Sequence, residues 1–419
     1  MPDIIVVLQC LSQCLDKTTL RQLSDIVPAM LAMTGRVTRL GISRWTEKGG
    51  SYRTIQRFFN SSIVWAKVNW FFIRHHLLDR QDTVLIGGDE SVVTKSGQKT
   101  YGLDRFFSSL SGKPEPGLSF FSLSLISVKE RLSYPVMMEQ IVKDKEEKPT
   151  QKTAGQKVKK QARKRGRPRG SQNKNRREVE LTAYLLQIQT MLKSLLRLFG
   201  IDLAPVYCVL DGAFGNNNAF QMVRQCSLHL ISKLRCDAAL YFPYQGPQKQ
   251  RGANKKYGDK LNYDHIPDTY LKETRVVEGI QTNLYQMQMW HKLFPDLLNI
   301  VIIVKINLKT QARAHVVLFS SNLELADDQV IDYYRLRFQI EIVFTQMTKA
   351  SVSTSLGRGD DVVNFPLVVI DNHSINQQFD QLSFLLKGGL GQALLNPLAE
   401  SFNGGGDRTK LKLFKQLCF

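Results

Sequence analysis

Two rhythms of apolar and polar positions divide the chain. Over residues 3–78 the apolar positions recur at helical spacing: Ile4, Val7, Leu8 and Leu11 share one face, and Leu20, Leu23, Ile26, Val27 and Leu31 the next. Gly41, Gly49 and Gly50 punctuate the region after them, and Ser51 is placed to cap a helix from Tyr52 to Phe59. That helix buries Ile55, Phe58 and Phe59 and turns Arg53, Gln56 and Arg57 to solvent. A helix-turn-helix followed by an Arg-bearing helix is compatible with reading a DNA groove. Amphipathic helices commonly carry Arg on their wet face, so an ordinary surface helix is the other reading.

After Asp82 the pattern changes to short apolar runs. Thr83, Val84, Leu85 and Ile86 read as a strand that ends in Gly87-Gly88-Asp89-Glu90, and residues 118–128 and 132–142 as an antiparallel pair or meander. A helix carrying Leu181, Leu185, Leu186, Ile188, Met191, Leu192 and Leu195 leads to a strand over residues 205–210, which stops at Asp211-Gly212. A helix near 218–225 and a strand over 229–232 complete a strand–helix–strand unit, the mark of a mixed α/β sheet. Residues 236–325 then alternate loops with β runs at 275–289, 298–307 and 314–320. The helical pattern resumes where Asp327-Asp328 would cap Val330, Ile331, Tyr334, Phe338, Ile342 and Val343. The expected units are 1–79 (helical, DNA-binding), 80–142 and 179–235 (two parts of one core), 143–178 (basic insertion), 236–325 (β-rich insertion) and 326–419 (a helix carrying Glu341, then a divergent tail).

Charge sharpens this picture. The 419 residues carry a net charge of +20, and twelve cations with no acid fall between Lys152 and Arg177. That stretch is too polar to offset its ordering entropy and reads as a flexible insertion. Within it, Arg165-Gly166-Arg167-Pro168-Arg169-Gly170 is similar to an AT-hook, whose extended Arg-Gly-Arg core lies in a narrow minor groove. A solvated basic linker is the other reading, and both imply a nucleic-acid partner.

Several classes drop out. No window reaches the roughly 18 apolar residues of a membrane helix, and no basic, apolar leader opens the chain, so a cytoplasmic protein is expected. The six cysteines show neither CxxC spacing nor disulfide density. HExxH, GxxxxGK[ST] and GxSxG motifs do not occur, which removes support for zinc, ATP-hydrolysing and serine-hydrolase chemistry.

The acids carry the chemistry that remains. Asp89 and Asp211 each follow an apolar strand, and if those strands are neighbours both carboxylates project from one end of the sheet. Glu341 sits on a helix in which Tyr334, Arg337 and Glu341 fall at i, i+3 and i+7, one face. An aromatic hydroxyl, a guanidinium and a carboxylate on one face suit a phosphate held beside a metal. Three carboxylates suit two hard divalent ions, Mg²⁺ or Mn²⁺, in an in-line phosphoryl displacement.

These residues carry a family resemblance. Gly88-Asp89-Glu90, with the following Lys95-Ser96-Gly97-Gln98-Lys99-Thr100-Tyr101-Gly102-Leu103, resembles the first-aspartate region of DDE transposases from prokaryotic insertion sequences. The stretch from Val209 to Asn216, followed by that from Leu228 to Arg235, resembles the second, and Tyr334-xx-Arg337-xxx-Glu341 the Y-R-E part of a Y-R-E-K signature. The branch resembled is IS-four-like, with a β-strand insertion between the second Asp and the Glu, and the resemblance spans about residues 1–344. It implies an RNase H-like mixed sheet with flanking helices and Asp89, Asp211 and Glu341 as catalytic, metal-binding triad. It also implies double-stranded DNA as partner, a homodimer assembled on DNA, and cleavage at element ends followed by strand transfer. Tyr334, Arg337, Lys349, Arg165, Arg167, Arg169, Arg53, Arg57, Lys95 and Lys99 are the expected DNA contacts.

The match departs at the signature lysine. Thr348 stands where the family has Lys, with Lys349 one place later, turned about 100° on an ideal helix. Beyond Phe344 glycine and serine interrupt the expected packing helices, so a rearranged tail is expected. Transposase, catalytically dead DNA-binding remnant and structure-selective nuclease all stay open on the sequence.

Overall fold

Caps and apolar faces build the first unit. In this computed structural model, which describes residues 4–32, 38–46, 50–95, 100–108, 112–143 and 175–341, five helices open the chain. They are α1 (Ile4–Leu8), α2 (Lys17–Ala32), α3 (Arg39–Trp45), α4 (Tyr52–Asn60) and α5 (Trp65–His76). The Asp16 carboxylate accepts the backbone N–H groups of Thr18 and Thr19 ahead of α2, and Thr38 accepts that of Gly41 at the start of α3. Leu8, Leu11, Leu23, Ile26, Ile42, Ile55, Phe58, Phe59 and Phe72 close into a core separate from the rest of the molecule. Ser51 occupies the N-cap position of α4, but its hydroxyl makes no capping bond. Arg53 and Arg57 lie on the exposed side of α4.

Helix α5 joins this unit to a sheet. Its far side adds Trp70 and Ile73 to the main core, with the Trp70 ring 4.6 Å from that of Phe199. The first strands are β1 (Val84–Thr94), β2 (Asp104–Ser108), β3 (Lys113–Ser127) and β4 (Leu132–Ile141). Then come α6 (Ala183–Phe199), β5 (Tyr207–Val209), α7 (Asn217–Arg224) and β6 (His229–Leu234). The order β4-β3-β1-β5-β6, with β1, β5 and β6 parallel and the other pairs antiparallel, is that of an RNase H-like core.

The later strands enlarge the same sheet. They are β7 (Leu240–Pro243), β8 (Tyr257–Lys260), β9 (Leu271–Val277), β10 (Ile280–His291), β11 (Leu298–Asn307) and β12 (Arg313–Ser320). β12 pairs antiparallel with β6, and β11, β10, β7 and β8 come next outward, so residues 236–325 extend the core sheet by hydrogen bonding. The last described helix, α8 (Asp327–Leu336), is the one helix on its face among the described residues, where Val330, Tyr333, Leu336 and Ile340 cover Leu85, Val209, Ile231 and Leu318. Helices α5, α6 and α7 cover the other face. Among the described residues no helix is long and apolar enough to cross a membrane.

Three local expectations change. Strand β1 does not stop before Asp89 but runs on to Thr94, because it pairs residue for residue with β3 from Val84↔Ser127 to Thr94↔Gly117. The run expected at 275–289 is two strands, β9 and β10, joined by a two-residue turn with Glu278 at φ +50° and Gly279 at φ +76°. Asp327 and Asp328 lie in the first turn of α8, where their charge favours the helix dipole, and Ala326 holds the N-cap position.

Candidate active site

Strand register sets two of the acids level. β1 and β5 are parallel neighbours with Ile86 opposite Cys208 and Gly87 opposite Val209, so Asp89 and Asp211 each stand two residues beyond the last pair. With side chains alternating across a sheet, both carboxylates share the face of Leu85 and Val209, the face that α8 covers. Asp89 lies within β1, tied down by β3. Asp211 leaves its strand and caps a short turn, accepting the Ala213 N–H at 3.1 Å, while the Ser232 hydroxyl donates to its carbonyl at 2.6 Å.

The third acid arrives from α8. The helical path continues past Leu336 through Ile340 to Glu341, and Gly87 makes the approach possible. A Cβ at Gly87 would stand 2.6 Å from Ile340 Cδ1 and 2.5 Å from Ile126 Cδ1. Arg337 is the centre of the arrangement. Its Nη2 is 2.9 Å from Glu341 Oε1, its Nη1 is 3.8 Å from Asp89 Oδ1, and its guanidinium lies over the Phe338 ring at 4.7 Å. Arg337 is buried, and its Nε has no hydrogen-bond partner among the described residues.

The charges act on one another. Burial pushes the Asp89 carboxyl up to about 6; Arg337 opposes this, and the negative charges of Glu341 and Asp211 add to it. Burial also raises Tyr334, against the pull of Arg337, so its hydroxyl keeps its proton at neutral pH. On the opposite side of β1, Glu90 accepts the hydroxyls of Ser119 and Tyr184, the latter at 2.9 Å. Tyr184, raised mainly by burial, stacks on Phe214 just past Asp211. Sequence pattern does not reveal Tyr184; Gly87 is signalled by the glycine pair inside a strand.

The donor chemistry fits a divalent cation. The acids are carboxylates only, the hard oxygen ligands that Mg²⁺ and Mn²⁺ take, and both Glu341 and Asp211 act on Asp89 electrostatically. They are spread, not gathered: among the described residues no three His, Cys, Asp or Glu side chains stand close enough to grip one ion, and Arg337 lies between Asp89 and Glu341.

The other expected residues lie apart from this cluster. Lys95 comes just after the end of β1, six strand residues and roughly 20 Å from Asp89. Arg53 and Arg57 belong to the helical unit. Lys99, Arg165, Arg167, Arg169, Lys349 and the tail expected to be rearranged lie outside the described residues.

No curated protein matches the chain. A family model described as DDE superfamily endonuclease matches residues 10–293. That span takes in helices α2 to α5 of the helical unit, both parts of the RNase H-like core and most of the added strands. Nucleases of this superfamily act on DNA and generally use divalent metals. With this mixed sheet and two thirds of its length matched, the chain belongs to the DDE superfamily endonucleases.

Proposed function

We propose that this endonuclease is a transposase that cuts DNA at the ends of an insertion sequence and joins the freed ends to target DNA. Asp89, Asp211 and Glu341 would hold two divalent ions, Mg²⁺ or Mn²⁺. The observation that supports this best is the Arg337 guanidinium lying between Asp89 and Glu341, from distant stretches of chain, with Asp211 raising the proton affinity of Asp89.

When bound, the ions supply Lewis-acid chemistry, activating the attacking oxygen and offsetting charge on the leaving one. The chain's own residues do the rest. Arg337 presents a planar fork suited to two phosphate oxygens, and burial under Phe338 and Tyr334 limits its motion. Tyr334, kept protonated, donates to the same phosphodiester. Water attacks phosphorus, breaking the bond to the 3′-oxygen and leaving a 5′-phosphate on the other side; the freed 3′-hydroxyl then attacks a phosphorus of the target strand, and the target's own 3′-oxygen departs with the proton. Arg53, Arg57, Lys95, Lys99, Lys349 and the Arg165-Arg167-Arg169 run hold flanking duplex. The active form is a homodimer on DNA, working in the cytoplasm at the nucleoid.

The test is cleavage and strand transfer on duplexes carrying the element's ends, with Asp89→Asn, Asp211→Asn and Glu341→Gln beside the wild type. Each variant is expected to lose cleavage and keep DNA binding, since binding rests on cations. Undiminished cleavage by any of the three removes that residue from the triad. Cleavage without joined products on a target plasmid makes the protein a nuclease.

A further inference from the structure

The basic run of the sequence ends in a cleft on the far side of the sheet. The Asn217 amide donates to the Arg176 carbonyl at 2.9 Å, and Arg177 pairs with Asp296 at 2.6 Å. These contacts hold residues 175–177 against the corner after β10. The space between them is a cleft of about 730 Å³ lined by Asn175, Arg176, Arg177, Lys256, Tyr257, Phe294 and Pro295. Three cations and no acid line it. Two acids stand at its margin and both are engaged: Asp296 is shared by Arg177 and Arg224, and Glu178 accepts from the Asn175 amide at 2.8 Å.

The chain around the cleft repeats one design. Residues 244–258, from the end of β7 into β8, contain Lys249, Arg251, Lys255 and Lys256 and no acid. Lys255 Nζ lies 4.2 Å from the Tyr244 ring centroid, Lys256 Nζ 5.1 Å from that of Trp290, and Lys292 Nζ 4.5 Å from that of Tyr241. Ring contacts restrain these lysines while leaving the ammonium groups exposed to solvent, so less ordering entropy is lost when an anion arrives. Among the described residues neither Arg176 nor Lys256 makes an ion pair with an acid of this chain. A surface of pre-arranged, unneutralised cations is suited to several phosphates at once.

We propose that this cleft is a second DNA-binding surface, one that grips the phosphate backbone of duplex DNA away from the carboxylate cluster, with Arg176 and Lys256 as its central contacts. It rests on the reading of the protein as a DNA-processing enzyme and adds to it a place where DNA beyond the cut is held. The contacts are to phosphate, so the surface is indifferent to sequence.

Fluorescence anisotropy of a random-sequence DNA duplex, in chelator and across a salt series, tests it on the full chain. Each lost phosphate contact lowers the slope of log affinity against log salt by about 0.9, so Arg176→Gln with Lys256→Gln lowers it by about 1.8. Between 50 and 200 mM salt the wild type therefore loses roughly 12-fold more affinity than the double variant. Arg176→Lys with Lys256→Arg keeps both charges and is expected to restore the slope, which separates charge from folding. A slope in the Gln variant equal to that of the wild type overturns the proposal, as does failure of the charge-keeping pair to restore it. Catalysis is not read in chelator, so the two readings fail independently. A changed slope with no cleavage by the wild type removes the enzyme and leaves the cleft; cleavage with an unchanged slope does the reverse.

Discussion

Ile340 Cδ1 occupies the space that a side chain on Gly87 would need: a Cβ there would stand 2.6 Å away. The residue after Ile340 is Glu341, and two residues beyond Gly87 is Asp89, so this contact lies beside both acids. Gly87→Ala is expected to cost about 1–3 kcal/mol by overpacking. It should also lower cleavage more than DNA binding, because displacing Ile340 disturbs its neighbour Glu341, while binding rests on cations elsewhere. Chemical denaturation and a metal-dependent cleavage assay check the pair of outcomes; full cleavage would mean that the contact does not set the site.

Asp89 is held ionised at the expense of stability. Its carboxyl is pushed up to about 6 from 3.8, chiefly by burial, so the folded protein binds a proton more tightly than the unfolded chain does. This group's contribution is therefore fully present below about pH 4 and is lost as pH rises through about 6. Above pH 7 Asp89→Asn is expected to stabilise the metal-free protein by about 1–3 kcal/mol, a gain that shrinks toward pH 4. Melting curves in chelator at several pH values measure it, and a variant that melts below the wild type at pH 7.5 contradicts the burial argument.

Metal should narrow that gap. A ligand that binds only the folded state stabilises by about 1.4 kcal/mol at ten times its dissociation constant. Mg²⁺ or Mn²⁺ is accordingly expected to raise the melting temperature of the wild type and to leave Asp89→Asn unmoved. An equal rise in both would place the binding elsewhere.

The sheet is legible because strands buried on both faces read as unbroken apolar runs, and β5 and β11 do so plainly. Where β1 loses that pattern, at Gly87-Gly88-Asp89, the chain is still a strand, held by β3 and not by its own side chains. Local pattern carries no record of such pairing. The turn at Glu278-Gly279 is hidden for a different reason: its flanking strands share composition, and only backbone handedness separates them. At the candidate site, helical spacing foretells that Arg337 and Glu341 are neighbours. It does not foretell that the guanidinium also faces Asp89, since that depends on how α8 crosses the sheet. Tyr184 is beyond reach because its partner Glu90 lies across a helix–sheet interface.

Arg337 combines a charge and a shape. Its two terminal nitrogens face different carboxylates, and its plane lies over Phe338. Arg337→Lys keeps the charge and loses the fork, so stability should change little while cleavage falls by roughly tenfold or more. Arg337→Ala leaves two acids facing each other without a cation and should lower stability as well. Comparing the two variants by melting and by cleavage separates shape from charge; equal activity of the Lys variant would show that charge alone suffices.

Asn69 links the helical unit to the sheet through a strand irregularity. Pairing between β3 and β4 jumps from Leu123↔Met137 to Ser124↔Pro135, leaving Val136 as an extra residue in β4. Its carbonyl accepts the Asn69 Nδ2 at 2.8 Å, and Asn69 is fully buried in α5. Truncation strands that carbonyl in an apolar junction, which costs about 1–3 kcal/mol. Asn69→Ala is therefore expected to lower stability by that amount and to loosen α5 from β4. Limited proteolysis would then release the helical unit faster than in the wild type, cutting between residues 76 and 84. Asn69→Asp keeps one acceptor but removes the donor and should be no better. Unchanged stability in both variants would mean that the Val136 carbonyl is satisfied by water, and that apolar packing of Trp70 and Ile73 alone holds the two parts together.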